Sequence, residues 1–466
     1  MTVQSFLYIL FVPVVWALWR LVRHRTGREI VLLAASYFFY FSWGASFLTL
    51  LVFSSLVNFL LGEYIRRKPD KSRLWLAVGF NLLVLALFKY LPGMSFAHGS
   101  SVLHHLITPI GVSFWTFQAL SYHFDVYREE EIDPTLLEFS LYMAFWPTVL
   151  SGPVCRLPAM LPQIRSADPK WDDIAEGSRR ILVGLFMKVV LSQLLASGLQ
   201  AGEGVDAGFD QLSGWGGLDV WALAFGYGFQ LFFDFAGYSN IVIGTARLFG
   251  IQLAENFNDP YLATSPSGFW TRWHMSLSFW IRDYVFLPMA TMRRSLIWRY
   301  FALLTAMVIF GFWHGATLLY VLWGAYHGVL LVAHRQFQSL NQRFSFAAPE
   351  WLTSFLGWGV TFSLMCLGWI FFRADNVHQA YRMLSVVFQP ATYRHFGLRP
   401  NYYLVTMIII LGYFAVCGYC QLAEKLAESA LWKRALWLFS PVVYSILIIG
   451  VIIWSKQKSV FVYMQF

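Results

Sequence analysis

Three blocks of the sequence combine ionisable side chains with dense aromatic and apolar surroundings. They are FDFAGYSN (Phe233–Asn240), FWTRWHMSLSFWIRDY (Phe269–Tyr284) and GFWHGATLLYVLWGAYHG (Gly311–Gly328). Their charged or titratable members are Asp234, Arg272, His274, Arg282, Asp283, His314 and His327. Ionisable groups are costly in apolar surroundings, and in a membrane protein they mark a functional site by default. The three blocks therefore form the candidate active site.

His314 is the strongest candidate for a catalytic base. It lies between Trp313 and Gly315, and the glycines at 311 and 315 allow other groups to approach closely. His327 recurs in the similar phrase WGAYHG. An imidazole is well suited to accept a proton from a hydroxyl or a thiol near neutral pH. We therefore expect general-base chemistry at His314, with Trp313 and His327 among the substrate-binding residues.

The middle block places polar side chains at helical spacing. His274, Ser278 and Arg282 are each four residues apart, so on one continuous helix they share a face. Another face is largely aromatic, with Phe269, Trp273, Trp280 and Tyr284. We expect the polar face to line a cavity, with His274 polarising a carbonyl group. The alternative is a membrane-surface helix whose cations reach towards water.

The remaining charged residues have expected roles in binding. Arg272 and Arg282 would attract an anionic substrate. Asp234 and Asp283 would each orient a histidine or pair with an arginine. We predict all four as substrate-binding residues.

Several other chemistries lack their sequence signatures. The chain has no H-E-x-x-H motif or Cys/His ligand spacing, so we predict no metal site. G-x-S-x-G, the P-loop and the dinucleotide glycine pattern are also absent, which argues against a serine nucleophile, ATP and NAD. The four cysteines form no disulfide framework, and the C-x-x-C pair at 417 and 420 lies within an apolar run.

The composition requires a membrane to surround these residues. Of the 466 residues, 58% are hydrophobic and 13% are charged, against about 45–50% and about 25% in soluble domains. The net charge of +9 comes from basic residues in short loops between apolar runs, which excludes a nucleic-acid partner and matches the positive-inside pattern. The sequence predicts an all-α polytopic membrane protein embedded in a lipid bilayer.

The apolar runs predict roughly eleven membrane spans in one domain covering residues 1–466. Phe6–Val22 is expected to be the first span rather than a cleavable signal. The basic clusters RHRTGR (Arg23–Arg28) and RRKPDKSR (Arg66–Arg73) should face the cytoplasm, which places the N-terminus outside. Trp215–Phe249 is too long for one simple span. Pro260–Pro288 should be a re-entrant or in-plane segment, because it is amphipathic rather than uniformly apolar.

Ten sequence blocks occur in the order typical of a known family and cover most of the chain. They are ASYFFYFSW, FKY, PIGVSFWTFQALSYHFDVYR, SGPV, LFFDFAGYS, ENFNDPY, FWTRWHMSLSFWIRDY, FWHG, WGAYHG and GWIFFRA. On these blocks the chain resembles the membrane-bound O-acyltransferase (MBOAT) family, in its bacterial branch of alginate O-acetylation and teichoic-acid D-alanylation proteins. The loop after RDY lacks the glycine-rich turn common in alginate relatives, so donor contacts there differ.

The resemblance implies a helical funnel with re-entrant segments, a catalytic histidine at His314 and a supporting one at His274. It implies transfer of an acyl group, with acetyl preferred, from a cytoplasmic thioester such as acetyl-CoA. No bound cofactor is expected. The acceptor would be an extracytoplasmic polysaccharide, reached through a separate esterase-like transferase partner. The location would be the bacterial inner membrane. D-alanyl transfer from a carrier protein is the nearest variant, and a transporter or flippase without chemistry is the alternative from another class.

Overall fold

The computed structural model describes residues 1–93, 108–199, 202–210, 214–344, 349–427 and 429–455. Over these residues the chain is helical, and the one pairing of extended segments is an isolated antiparallel bridge between Phe257 and Trp273. The predicted all-α membrane fold is therefore confirmed. The chain divides into two compact units, Met1–Ile181 with Tyr238–Asn256 and Leu182–Gly237 with Phe257–Phe466. The single domain over residues 1–466 stays a prediction.

The first unit is built from the N-terminal helices. They are α1 (Phe6–Leu21), α2 (Arg25–Phe41), α3 (Ala45–Arg67), α4 (Lys71–Leu85), α5 (Val112–Tyr127), α6 (Leu136–Ala144), α7 (Trp146–Val149), α8 (Leu157–Ser166) and most of α9 (Trp171–Phe186). A π-helical turn, Ala86–Tyr90, extends α4. The apolar run at 136–150 is not one helix, because Phe145 between α6 and α7 has a non-helical backbone and Pro147, in the first turn of α7, has no N–H to continue the hydrogen bonding of α6.

The second unit carries all three candidate blocks except the end of the first. Its helices are α10 (Ser192–Ser197), α11 (Val205–Asp210), α12 (Gly217–Arg247, up to Gly237), α13 (Pro266–Trp270), α14 (Met275–Ile281), α15 (Leu287–Thr291), α16 (Leu296–His314), α17 (Leu318–Phe344), α18 (Glu350–Arg373), α19 (Val377–Val387), α20 (Pro400–Lys425) and α21 (Ala430–Trp454). Two π-helical turns, Met187–Leu191 and Arg282–Phe286, continue α9 and α14.

Six described helices are long and apolar enough to cross a membrane. These candidate spans are Ala45–Arg67, Lys71–Tyr90, Trp171–Ser197, Leu296–His314, Glu350–Arg373 and Pro400–Lys425. Phe6–Leu21 and Leu438–Trp454 are apolar but shorter. Several crossing helices make this a multi-pass membrane protein, while the count of eleven, the funnel and the outward N-terminus stay predictions.

The long run at 215–249 forms one continuous helix, Gly217–Arg247, although it was expected to be too long for one simple span. Within the second unit its glycines serve close packing. A Cβ at Gly226 would lie 2.1 Å from the Tyr402 hydroxyl, and one at Gly237 would lie 2.7 Å from the Gly184 carbonyl. Small residues permit such backbone approach between membrane helices. The glycines of α12 are therefore contact points for neighbouring helices.

Candidate active site

His314 is the last residue of α16 and is buried in an aromatic enclosure. Its ring centroid lies 5.3 Å from that of Phe310, 5.3 Å from that of Trp323 and 5.0 Å from that of Phe372. The Trp323 ring meets the imidazole at 90°. Only 2% of His314 is exposed. Aromatic rings therefore hold the imidazole on several sides and restrict its orientation.

The glycines around His314 bring α16 and α17 into backbone contact. A Cβ at Gly311 would lie 2.2 Å from the Tyr320 carbonyl oxygen, and a Cβ at Gly324 would lie 2.3 Å from the Met307 carbonyl oxygen. Gly315 lies against the ring of Tyr320, where an added Cβ would be 2.6 Å away. The close approach expected at these glycines is thus made by α17 itself, and it fixes where α16 ends.

His274 is held by an unusual local backbone. The residue is the N-cap of α14 and adopts φ 42° and ψ 53°, a left-handed conformation that is uncommon for residues other than glycine. Just before it, the Asn258 amide donates to the Arg272 carbonyl at 3.0 Å beside the Phe257–Trp273 bridge. Strained backbone of this kind persists where the surroundings over-determine it, often at functional sites.

The His274 imidazole is fully buried and packs edge-on against Phe235, with the ring centroids 4.7 Å apart. Burial lowers the pKa of His274 to about 3, because the charged form is poorly solvated there. At neutral pH this histidine is therefore uncharged. A neutral imidazole can donate a hydrogen bond to a carbonyl oxygen from one ring nitrogen.

A row of tryptophans joins the surroundings of the two histidines. Trp273, next to His274, lies 4.7 Å from Trp369 between ring centroids. Trp369 stacks on Trp323 at 5.9 Å, and Trp323 contacts His314. Trp323 and Trp369 lie in two motifs that carried the family resemblance, WGAYHG and GWIFFRA, but no local sequence pattern indicates that they meet. The three blocks are thereby assembled around one aromatic core.

His327 lies in the same core and is completely buried. Its ring is surrounded by Trp270 at 5.2 Å, Trp323 at 4.9 Å and Tyr326 at 5.2 Å between centroids. Neither ring nitrogen has a hydrogen-bond partner among the described residues. Buried polar atoms without partners cost stability and call for an explanation, such as a bound molecule or a functional role. The ring of Trp323 contacts both His327 and His314, so the two histidines pack against one tryptophan.

Asp234 forms a buried ion pair with Lys188, a partner that was not among the arginines and histidines expected for it. Their side chains are only 3% and 2% exposed, so Lys188 does not reach the membrane surface. A buried charge requires an opposite charge close by, since desolvation would otherwise neutralise it. The neighbouring residue, Phe235, is the one that packs on His274. The ion pair therefore joins α12 to the π-helical turn that contains Lys188, and the substrate-binding role of Asp234 stays a prediction.

Ser278 and Arg282 line one cavity, whereas His274 does not. The cavity has a volume of about 200 Å³ and lies beside α14, α16 and α17. The expected common face is broken, because His274 stands at the buried helix start and Arg282 lies in the π-helical turn after α14. Arg282 pairs with Asp283, with the guanidinium Nε 2.6 Å from a carboxylate oxygen. Sequence spacing alone could not show the change of helix type.

The other predicted residues lie close by. Trp313 is buried and adjoins His314, with their ring centroids 4.7 Å apart. Arg272 is partly exposed and directs its guanidinium towards the Asn258 carbonyl at 3.4 Å. Within the described part of the chain, no three His, Cys, Asp or Glu side chains are grouped to hold a metal ion. Sequence reasoning did not single out Lys188 or Arg335, which lines the cavity with Arg282.

Comparison with known proteins places this arrangement in a family. The model of the membrane-bound O-acyltransferase family matches residues 46–374. The probable alginate O-acetylase AlgI of Pseudomonas aeruginosa is 37% identical over 400 residues, covering 83% of this chain and 74% of that protein. The peptidoglycan O-acetyltransferase of Helicobacter pylori is 32% identical over 396 residues, covering 77% and 73%. The teichoic acid D-alanyltransferase of Bacillus subtilis is 30% identical over 319 residues, covering 65% and 78%.

These relatives are named as acyl-transferring enzymes, so the prediction of an acyltransferase is confirmed over that of a transporter. The resemblance read from the ten sequence blocks is confirmed as well, since the family model covers most of the chain. The chain belongs to the membrane-bound O-acyltransferase family.

Proposed function

We propose that the protein transfers an acetyl group from a cytoplasmic thioester to an extracytoplasmic polysaccharide, with His314 as the general base. The observation that carries the proposal is the position of His314. It ends a membrane-crossing helix inside an aromatic enclosure, and Phe310 on the preceding turn lines the cavity that also contains Arg282. A donor in that cavity would approach the imidazole along α16.

The chemistry follows from a neutral imidazole at this position. His314 would take the proton from the attacking hydroxyl, and the oxygen would form a bond to the thioester carbonyl carbon. Collapse of the tetrahedral intermediate breaks the carbon–sulfur bond, and the imidazolium returns its proton to the leaving thiolate. General-base assistance of this kind contributes roughly 10²–10⁴-fold to a rate. His274, neutral because of its burial, would donate a hydrogen bond to the carbonyl oxygen as charge develops there.

Acetyl transfer is preferred because of the relatives. The probable alginate O-acetylase matches a larger share of this chain, at higher identity, than the D-alanyltransferase does. We propose surface or exopolysaccharide O-acetylation in the bacterial inner membrane, with the N-terminus outside and no bound cofactor. The final acceptor would be reached through a separate esterase-like transferase outside the membrane. D-alanyl transfer from a carrier protein remains the second candidate, favoured by the Bacillus subtilis relative.

The test follows label from acetyl-CoA into surface glycan in membranes that contain the protein. Wild type should transfer the label, and His314→Ala should abolish transfer while the protein still inserts at normal levels. The matched control is His378→Ala, which removes an exposed imidazole on α19 and should leave transfer unchanged.

Three results would decide between the alternatives. Label transfer from a D-alanyl carrier protein but not from acetyl-CoA would support the second candidate. Undiminished acetyl transfer in His314→Ala would refute the histidine mechanism. Full transfer to the polymer by membranes lacking every other transferase would refute the external partner.

A further inference from the structure

The cavity beside α14 has an apolar body and a basic edge. It is bounded by the π-helical turn after α14 and by one face each of α16 and α17. Its polar lining residues are Ser267, Thr271, Ser278, Arg282 and Arg335, and its other lining residues are aliphatic or aromatic. Most of these side chains are apolar, while both charged members are arginines. An occupant should therefore be slim, largely apolar along its length and negatively charged at one end.

The cavity follows one face of α16 towards His314. Leu303, Met307 and Phe310 line it, and their spacing of four and three residues places them in one stripe. His314 continues this stripe four residues after Phe310, and their ring centroids are 5.3 Å apart. Leu303 and His314 are separated by about 16 Å along the helix axis, at 1.5 Å per residue. The inner end of the cavity thus lies one helical turn from the imidazole.

A second stripe on α17 runs the same way. Arg335, Leu331 and His327 are each four residues apart, and the first two line the cavity. The helices are antiparallel neighbours, since Gly328 lies against Leu304 and Gly324 against Met307. Arg335 is therefore level with the first turns of α16, at the end away from His314.

The outer end of the cavity carries positive charge. The Arg335 guanidinium lies 5.6 Å from the Phe286 ring centroid, and Arg335 has no ion pair among the described residues. Arg282 lies on the facing π-helical turn and is already paired with Asp283. The three charges sum to one net positive charge beside the cavity. The basic run MRRSLIWR (Met292–Arg299) begins directly after α15, the short helix that follows this turn. We expect this run on the cytoplasmic side.

We propose that Arg335, assisted by Arg282, binds the phosphate of a phosphopantetheine thioester whose arm lies in this cavity. The inference rests on the proposed function and adds the residue that recognises the donor. An arginine guanidinium forms paired hydrogen bonds to a phosphate, and both partners are charged. The apolar stripe of α16 then receives the arm and directs the thioester towards His314. Arg335 determines donor specificity in this account and does not act on the reacting atoms.

The same phosphate occurs in coenzyme A and in the phosphopantetheine arm of a carrier protein, so the test compares donors that differ in their phosphates. The protein is purified in maltoside micelles, which contain no phosphate, and binding of acetyl-CoA, acetyl-phosphopantetheine and acetyl-pantetheine is measured by calorimetry. Wild type should bind the two phosphorylated donors at least tenfold more tightly than acetyl-pantetheine. Arg335→Gln should weaken both phosphorylated donors by about tenfold and leave acetyl-pantetheine unchanged.

Arg299→Gln is the matched control, because it removes an exposed arginine from the first turn of α16 that does not line the cavity. It should bind all three donors as wild type does. Arg335→Lys keeps the charge but loses the paired geometry, and should give an intermediate loss. If Arg335→Gln does not fold, two other measurements still test whether Arg335 binds the phosphate. They are the preference of the wild type for phosphorylated donors and the binding by Arg335→Lys.

Three outcomes would overturn the inference. They are equal binding of all three donors by wild type, unchanged binding in Arg335→Gln, and a loss confined to acetyl-CoA, which would place the contact at the nucleotide. His314→Ala should bind the donors like wild type, since it lacks only the base. Wild type that binds no thioester at all would instead refute the proposed function.

Discussion

The most exacting test of the site geometry is Gly311→Ala, a single methyl group placed where α16 crosses α17. The added Cβ would lie 2.2 Å from the Tyr320 carbonyl oxygen and 3.1 Å from the backbone of Gly324. Ordinary contact begins at 3.4 Å, so the two backbones would have to separate by about 1.2 Å. Both contacted groups are backbone atoms, so no flexible side chain can yield.

The separation would reach the proposed base, because His314 follows Gly311 by less than one helical turn. Overpacking of this kind costs about 1–3 kcal/mol of stability. A misplacement of about 1 Å at a reacting group can lower a rate by roughly 10²-fold. We therefore expect Gly311→Ala to fold with lower thermal stability and to transfer acetyl roughly a hundredfold more slowly, with donor binding little changed.

Gly359→Ala is the matched control, since Gly359 lies within α18 and an added Cβ meets nothing within 4 Å. There the change should be neutral or stabilising, by up to about 1 kcal/mol, because alanine favours a helix over glycine. Thermal unfolding in micelles and labelled acetyl transfer would be measured for both variants. Wild-type stability and rate in Gly311→Ala would refute the claim that this crossing positions His314.

Three further predictions concern buried polar residues. Lys188→Met should destabilise the protein by about 3–5 kcal/mol because it removes the buried positive charge opposite Asp234, whereas Lys188→Met with Asp234→Leu should recover most of that loss. Thermal unfolding checks this, and an equally unstable double variant would contradict it. His327→Phe should be at least as stable as wild type, because it removes two buried nitrogens without partners, but should slow acetyl transfer; an unchanged rate would assign His327 to packing. Because the pKa of His274 is lowered to about 3 in the folded state, acidification from pH 7 to 5 protonates this residue only in the unfolded chain and costs stability. His274→Asn should lose less stability over that range, and an equal loss would contradict the assignment.

Sequence patterns identified the candidate site residues but not the residues that pack against them. The histidines, their glycine neighbours and the membrane setting could be predicted, because ionisable residues in apolar runs are rare and costly. The pairing of Asp234 with Lys188 could not, since those residues are distant in the chain and only tertiary packing brings them together. Nor could the row of tryptophans be foreseen, because two of its members lie in motifs whose contact no local pattern encodes.

Helix irregularity explains the other differences. The spacing of His274, Ser278 and Arg282 assumes a continuous α-helix, but the chain enters α14 through a left-handed residue and leaves it through a π-helical turn. A π-helical turn changes the residues that share a face, which frequently occurs at functional sites. Arg335 carried no signal either, since a basic residue at the end of an apolar run usually indicates only a membrane boundary.

The most direct test of the central claim, that His314 is the base, is rescue of His314→Ala by a nucleophile that needs no deprotonation. Membranes with wild type or His314→Ala would receive acetyl-CoA, and release of free thiol would be measured with the glycan acceptor and then with hydroxylamine. If His314 is the base, His314→Ala loses the release of thiol that depends on the glycan and regains thiol release with hydroxylamine. Persistent glycan-dependent release would contradict it, as would failure of hydroxylamine in a variant that binds acetyl-CoA as tightly as wild type.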